Sequence, residues 1–207
     1  MRFPASEYPP TCEGKSAEQC AFDHLNFLVN TETIQYLHNR YENTAAPFGI
    51  GKAGFDLFRW PYDQQLFYSF VAPDRWNDRP HIDGPGSGRT PGDIKGMYRS
   101  EYLSKQGQEY ISLFGRDFNF DMVGNLTFGY IGSAAGYDRL TLVGGAHLAQ
   151  LLDTQSIDPR YDTLAIVMGS ALYANCGGAC TMADFERVID HFWPSYVEAL
   201  PELGAPR

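Results

Sequence analysis

Apolar positions recur at helical spacing along most of this chain. From Ser16, with Glu18 in the first turn, the pattern runs through Cys20, Phe22, Leu25, Leu28 and Val29, then resumes at Ile34 and Leu37. Trp60-Pro61 opens a short helix carrying Leu66, Phe67, Phe70 and Val71, which stops before Pro73. A more polar helix is expected from about Asp93 to Phe114, with Tyr98, Tyr102, Tyr110, Ile111 and Leu113 among its apolar positions and Gly107 as a possible break. Another follows from about Tyr137 to Leu152. Within residues 159–174 the run Leu164-Ala165-Ile166-Val167-Met168 is apolar all round, as a central buried helix is. Thr181 with Asp184 gives an N-cap signal for a last helix, striped by Phe185, Val188, Ile189 and Phe192 and interrupted by Pro194.

One stretch reads differently. In residues 120–132, Leu126, Phe128 and Tyr130 alternate with Thr127 and Gly129, which predicts a short strand. The glycines around it predict tight turns or close backbone approach. Asp121 and Thr127 would then stand on a rigid, turn-bounded platform; the plainer reading is an ordinary hairpin with a capping Asp. The expected fold is mainly α, of α+β type, a single helical domain with one small β-hairpin element near residues 118–131. Residues 1–15 read as an extended, Pro-rich lead and residues 16–207 as the domain. Residues 73–93, with four Pro and four Gly, read as a long loop of the kind that carries function.

The bulk numbers narrow the partners. Sixteen Lys and Arg against 25 acids give a net charge of −9, and no long basic cluster offsets it. That disfavours a nucleic-acid-gripping surface without excluding a local one. No apolar run approaches the roughly 20 residues of a membrane span. Residues 1–10 lack an apolar core, so no ordinary secretory leader is expected. The four cysteines fall as Cys12/Cys20 and Cys176/Cys180. Their spacings do not match a usual zinc ribbon, and neither metal nor cofactor is expected. They suit two disulfides, joined locally or tying the two ends together, with free buried thiols as the alternative; disulfides would imply an oxidising compartment.

Glycoside hydrolysis needs a protonated acid near the leaving oxygen and a second polar group that manages water or the developing cation. Glu109, flanked by aromatics that could desolvate it, suits the first role. Asp121 and Thr127 suit the second, although a solvated helix face is the commoner fate of a lone Glu. The run from Asp121 to Tyr130 resembles the phage-type lysozyme segment, in which an Asp and a Thr separated by five residues follow a catalytic Glu. That resemblance implies a lysozyme-like domain in which Asp121 and Thr127 fill the family's acid and threonine positions and Glu109 is the candidate general acid. The gap to the Asp is longer here, and the family's Gly after the Glu and His after the Gly-Tyr are absent, so Glu101 and Asp117 stand as substitute acids.

Residues 66–155 carry a broader resemblance. Trp76-Asn77-Asp78, then Gly124-Asn125-Leu126-Thr127-Phe128-Gly129, then Gly145-Ala146-His147-Leu148-Ala149-Gln150 are similar to the type 44 polymorphic-toxin domain. The resemblance implies a toxin used against competing bacteria and a cognate immunity protein, with Trp76, Asp78, Asn125 and Tyr130 as substrate-binding candidates. It also implies the ribonuclease activity proposed for that family, for which His81, with Arg79 or Arg116, would be the base and phosphate grip. His147 on an apolar helix reads as a core histidine. Three functions follow: a muramidase toxin that cleaves peptidoglycan in the target-cell periplasm through Glu109, Asp121 and Thr127; a ribonuclease toxin of the target cytoplasm; and a non-enzymatic carbohydrate- or protein-binding module. The first is the reading taken, with delivery by a secretion system that needs no signal peptide.

Overall fold

The computed structural model describes residues 3–44, 61–71, 91–92, 94, 98, 107, 110–154 and 160–200. Among these are seven α-helices and one two-stranded sheet: α1 (Ala17–Val29), α2 (Glu32–Thr44), α3 (Pro61–Val71), β1 (Tyr110–Leu113), β2 (Arg116–Asn119), α4 (Phe120–Ala134), α5 (Arg139–Thr154), α6 (Arg160–Cys176) and α7 (Met182–Ala199). The mainly helical reading with one small hairpin holds. Helix α1 begins where the hydroxyl of Ser16 accepts the Gln19 N–H, and α7 begins at a full capping box between Thr181 and Asp184.

The centre of the molecule is the crossing of α4 and α6. A Cβ placed on Gly129 would overlap the carbonyl oxygen of Ile166, and one on Gly169 would overlap that of Leu126. Both obstacles are backbone, so neither can swing aside. The two helices approach this closely because each presents a glycine to the other. Around the crossing pack Leu25 and Leu28 of α1, Ile34 and Leu37 of α2, and Phe185 and Ile189 of α7, all fully buried.

The position of the β element departs from expectation. Residues 120–134 form α4, not a strand, and the hairpin lies just before it, at residues 110–119. Met122, Val123, Leu126, Tyr130 and Ile131 are all buried, as are Thr127 and Gly129 between them. A segment enclosed on nearly every side keeps only the narrow polar face of Asp121 and Asn125, so its alternation is a poor guide to period. The expected helix from 93 to 114 is corrected at its C-terminal end, where residues 110–113 are strand.

The hairpin turns over two residues, with Leu113 paired to Arg116. Phe114 (φ 53°) and Gly115 (φ 73°) both occupy the left-handed region, as a primed turn between twisted strands requires. Phenylalanine there is strained, and its surroundings hold it. Its N–H donates to Glu18 Oε1 at 3.0 Å, and its ring meets Phe185 edge-on at 5.5 Å.

Residues 3–15 lie against the body. Phe3 meets Phe70 edge-on, Glu7 is buried with its carboxylate accepting the Thr33 N–H at 3.0 Å, and the Pro10 carbonyl accepts from His24 Nε2 at 2.8 Å. Both cysteine pairs are joined locally, Cys12 to Cys20 and Cys176 to Cys180. No helix among the described residues is long and apolar enough to cross a membrane.

Candidate functional site

The N-terminal end of α4 gathers polar groups from four elements. Asn119, last residue of β2 and N-cap of α4, accepts the Asp121 N–H through Oδ1 at 2.9 Å. Its own N–H donates to the Tyr196 hydroxyl of α7 at 3.3 Å. One turn into α4, the Asn125 amide donates to Asp162 Oδ1 in the first turn of α6. Asp162 is a buried carboxylate, and such a group persists only when hydrogen-bonded. Burial pushes the Tyr196 phenol up; the Asn119 N–H opposes that and the negative charge of Asp162 adds to it.

Asp121 and Asn125 stand four residues apart on one helix, so they share a face. Both are half-buried rather than sealed. The strand register pairs Tyr110 with Asn119, which sets the start of β1 beside the α4 N-cap. An acid in the first turn is also favoured by the helix dipole. Asp121 and Asn125 therefore share a face at the mouth of the central helix pair, where Asn125 is hydrogen-bonded to Asp162.

Two other expected residues lie elsewhere. Thr127 is 1% exposed, and its hydroxyl donates to the Val123 carbonyl one turn back at 2.8 Å. It is six residues from Asp121, roughly 9 Å along the axis and about 120° around it. The shared strand platform is thus replaced by two faces of a helix. Tyr130, nine residues on, is fully buried. Its hydroxyl donates to the Gly177 carbonyl at 3.2 Å, and its ring stands edge-on to Tyr173. Burial, with Tyr173 adding, pushes its phenol up to about 12.

Glu109, Glu101, Trp76 and Asp78 lie outside the described residues, as do His81 and Arg79. Asp117 is exposed on β2. Arg116 pairs with Asp190 at 2.7 Å and donates to the Phe114 carbonyl. His147 Nε2 lies 2.9 Å from Thr163 Oγ1, joining α5 to α6. Asp162 escaped the sequence reading; its signal is an acid set just ahead of a run that is otherwise apolar. His24 escaped as well, although it stands one helical turn after Cys20.

The hairpin feeds a buried, glycine-bearing helix that crosses a second one. Residues 93–175 match the family model of Bacterial toxin 44, a span that takes in β1, β2, α4, α5 and nearly all of α6. The matched span starts later than residue 66 and ends beyond residue 155. It includes Glu101, Glu109, Asp121, Asn125 and Asp162 but not Trp76 or Asp78. No curated protein and no solved structure matches the chain.

Proposed function

We propose that this toxin domain is a delivered antibacterial effector that hydrolyses a glycosidic bond of peptidoglycan. The observation that carries the reading is the polar group at the α4 N-terminus. Asp121 and Asn125 share a half-open face, Asn125 is held by buried Asp162, and the start of β1 lies beside them. Glu109, immediately before Tyr110 in the chain, is the general acid of this reading. Asp121 is the ionised partner, and Asn125 takes the water-positioning role that Thr127, with its hydroxyl bonded to Val123, is poorly placed to fill. The excess of 25 acids over 16 basic residues and the two disulfides suit work in an oxidising periplasm better than on a phosphate backbone. A cognate immunity protein in the producing cell belongs to the same proposal.

The test is compartment and product together. Expression directed to the periplasm should lyse cells, cytoplasmic expression should be tolerated, and purified peptidoglycan should release soluble fragments carrying new reducing ends. Arrest from cytoplasmic expression alone, with degraded RNA, would replace this activity with a ribonuclease. Saturable binding without turnover of either polymer would replace it with a binding module.

A further inference from the structure

Away from the candidate site, the lead segment and α1 bring two sulfurs and an imidazole together beside the buried Tyr98 phenol. We propose that Cys12, Cys20 and His24 form a redox-gated site for Zn²⁺, closed as a disulfide under oxidising conditions and open to the metal once reduced. It is independent of the peptidoglycan reading.

The donors are of thiolate–imidazole type, with the two sulfurs bonded to each other in the oxidised state and Cys12 Sγ 3.9 Å from His24 Nε2. One ligand atom from each of Cys12, Cys20 and His24 lies within 4.8 Å of the others. Cys20 and His24 are four apart on α1, so their side chains share a face. A zinc tetrahedron with bonds of about 2.0–2.3 Å has edges of roughly 3.3–3.8 Å. Cys20 Sγ is 3.8 Å from His24 Nδ1, and the Tyr98 hydroxyl is 3.6 Å from Cys20 Sγ and 3.3 Å from His24 Nδ1. The Tyr98 oxygen thus stands beside both of the ligand atoms that α1 supplies. The imidazole is already turned to ligate. Because the Pro10 carbonyl can only accept, Nε2 carries the proton and Nδ1 presents its lone pair inward. A backbone carbonyl on the far nitrogen is the usual outer partner of a metal-bound histidine.

The chemistry balances. A cellular dithiol donates two electrons and two protons to the Cys12–Cys20 bond, giving two thiols, and leaves as its own disulfide. Zn²⁺ then takes the place of the two thiol protons, which pass to solvent, and accepts the Nδ1 lone pair. The lead segment stays tied to α1 in both environments, by a covalent bond in one and by the metal in the other. A toxin that passes between compartments would keep its N-terminal segment docked throughout.

The experiment reduces the whole chain with a dithiol, desalts it under nitrogen and titrates it with Co²⁺, then displaces Co²⁺ with Zn²⁺. One equivalent of Co²⁺ should bind, with a thiolate-to-cobalt charge-transfer band and tetrahedral d–d bands. The oxidised chain should show neither. Cys12→Ser and His24→Gln should each weaken binding at least tenfold, while Cys176→Ser/Cys180→Ser should retain it. A signal that follows Cys176 and Cys180, or a folded reduced chain without the thiolate band, overturns the proposal. If reduction unfolds the chain, Zn²⁺ should restore its circular dichroism; failure to do so also overturns it.

Discussion

The middle and the mouth of the α4–α6 pair are built on opposite principles, though the same two helices supply both. In the middle, Gly129 and Gly169 remove side chains so that backbones can touch. At the mouth, Asp121, Asn125 and Asp162 add polar groups that must find partners, and Asn119 and Tyr196 join the network. The middle tolerates no added atom because its neighbours are backbone. The mouth tolerates isosteric change structurally at Asp121 and Asn125, which are only half-enclosed, whereas Asp162 and Tyr196 are buried. Rigidity in one region therefore fixes the polar groups of the other, and the two should respond to mutation in different ways.

The largest effect is expected in the middle. Gly169→Val should force the helices apart at a cost of about 3 kcal/mol, seen by calorimetry as a melting temperature lowered by roughly 6–12 °C. A variant as stable as the parent would show that the crossing can slide. Next comes the mouth: Asp121→Asn should lower peptidoglycan turnover by about 100-fold while leaving the melting temperature within about 2 °C. Equal loss of stability and activity would make Asp121 a structural cap only. Thr127→Val separates the regions more finely. It should cost about 1 kcal/mol through the lost bond to Val123 and keep activity within about twofold. Activity lost at unchanged stability would return Thr127 to the chemistry.

The smallest effect concerns the hairpin that leads into the mouth. Burial raises the Glu18 carboxyl, but hydrogen bonds from its own N–H, Ser16 and Phe114 outweigh that and hold it below its ordinary 4.5. The folded state therefore favours the ionised form. This contribution is complete above the unfolded value and fades as pH falls through the folded one. Chemical denaturation from pH 6 to pH 3 should show a shallower decline for Glu18→Gln than for the parent. Parallel curves would place the acid sensitivity elsewhere.

The helices with one polar face were legible in the chain itself. Helix α1 with its Ser16 cap, the break before α2, the stop of α3 and the capping box of α7 rest on interactions within a few residues, and local pattern reports those. The site was legible only in part. Asp121 and Asn125 stood out by their setting, but their common face could not be seen while residues 120–132 read as a strand. Asp162 is far away in sequence and meets Asn125 only through the helix crossing.

What the sequence by itself determined is the helical class, most helix ends, the family resemblance and the acidic balance. Tertiary structure alone decided that α4 is a helix, that its glycines serve a backbone crossing rather than turns, and that each cysteine pair closes locally. The reason is physical. A segment buried on all but one narrow face loses most of the polar–apolar contrast from which a period is read. Its conformation is then set by the neighbours it packs against, which stand far away along the chain.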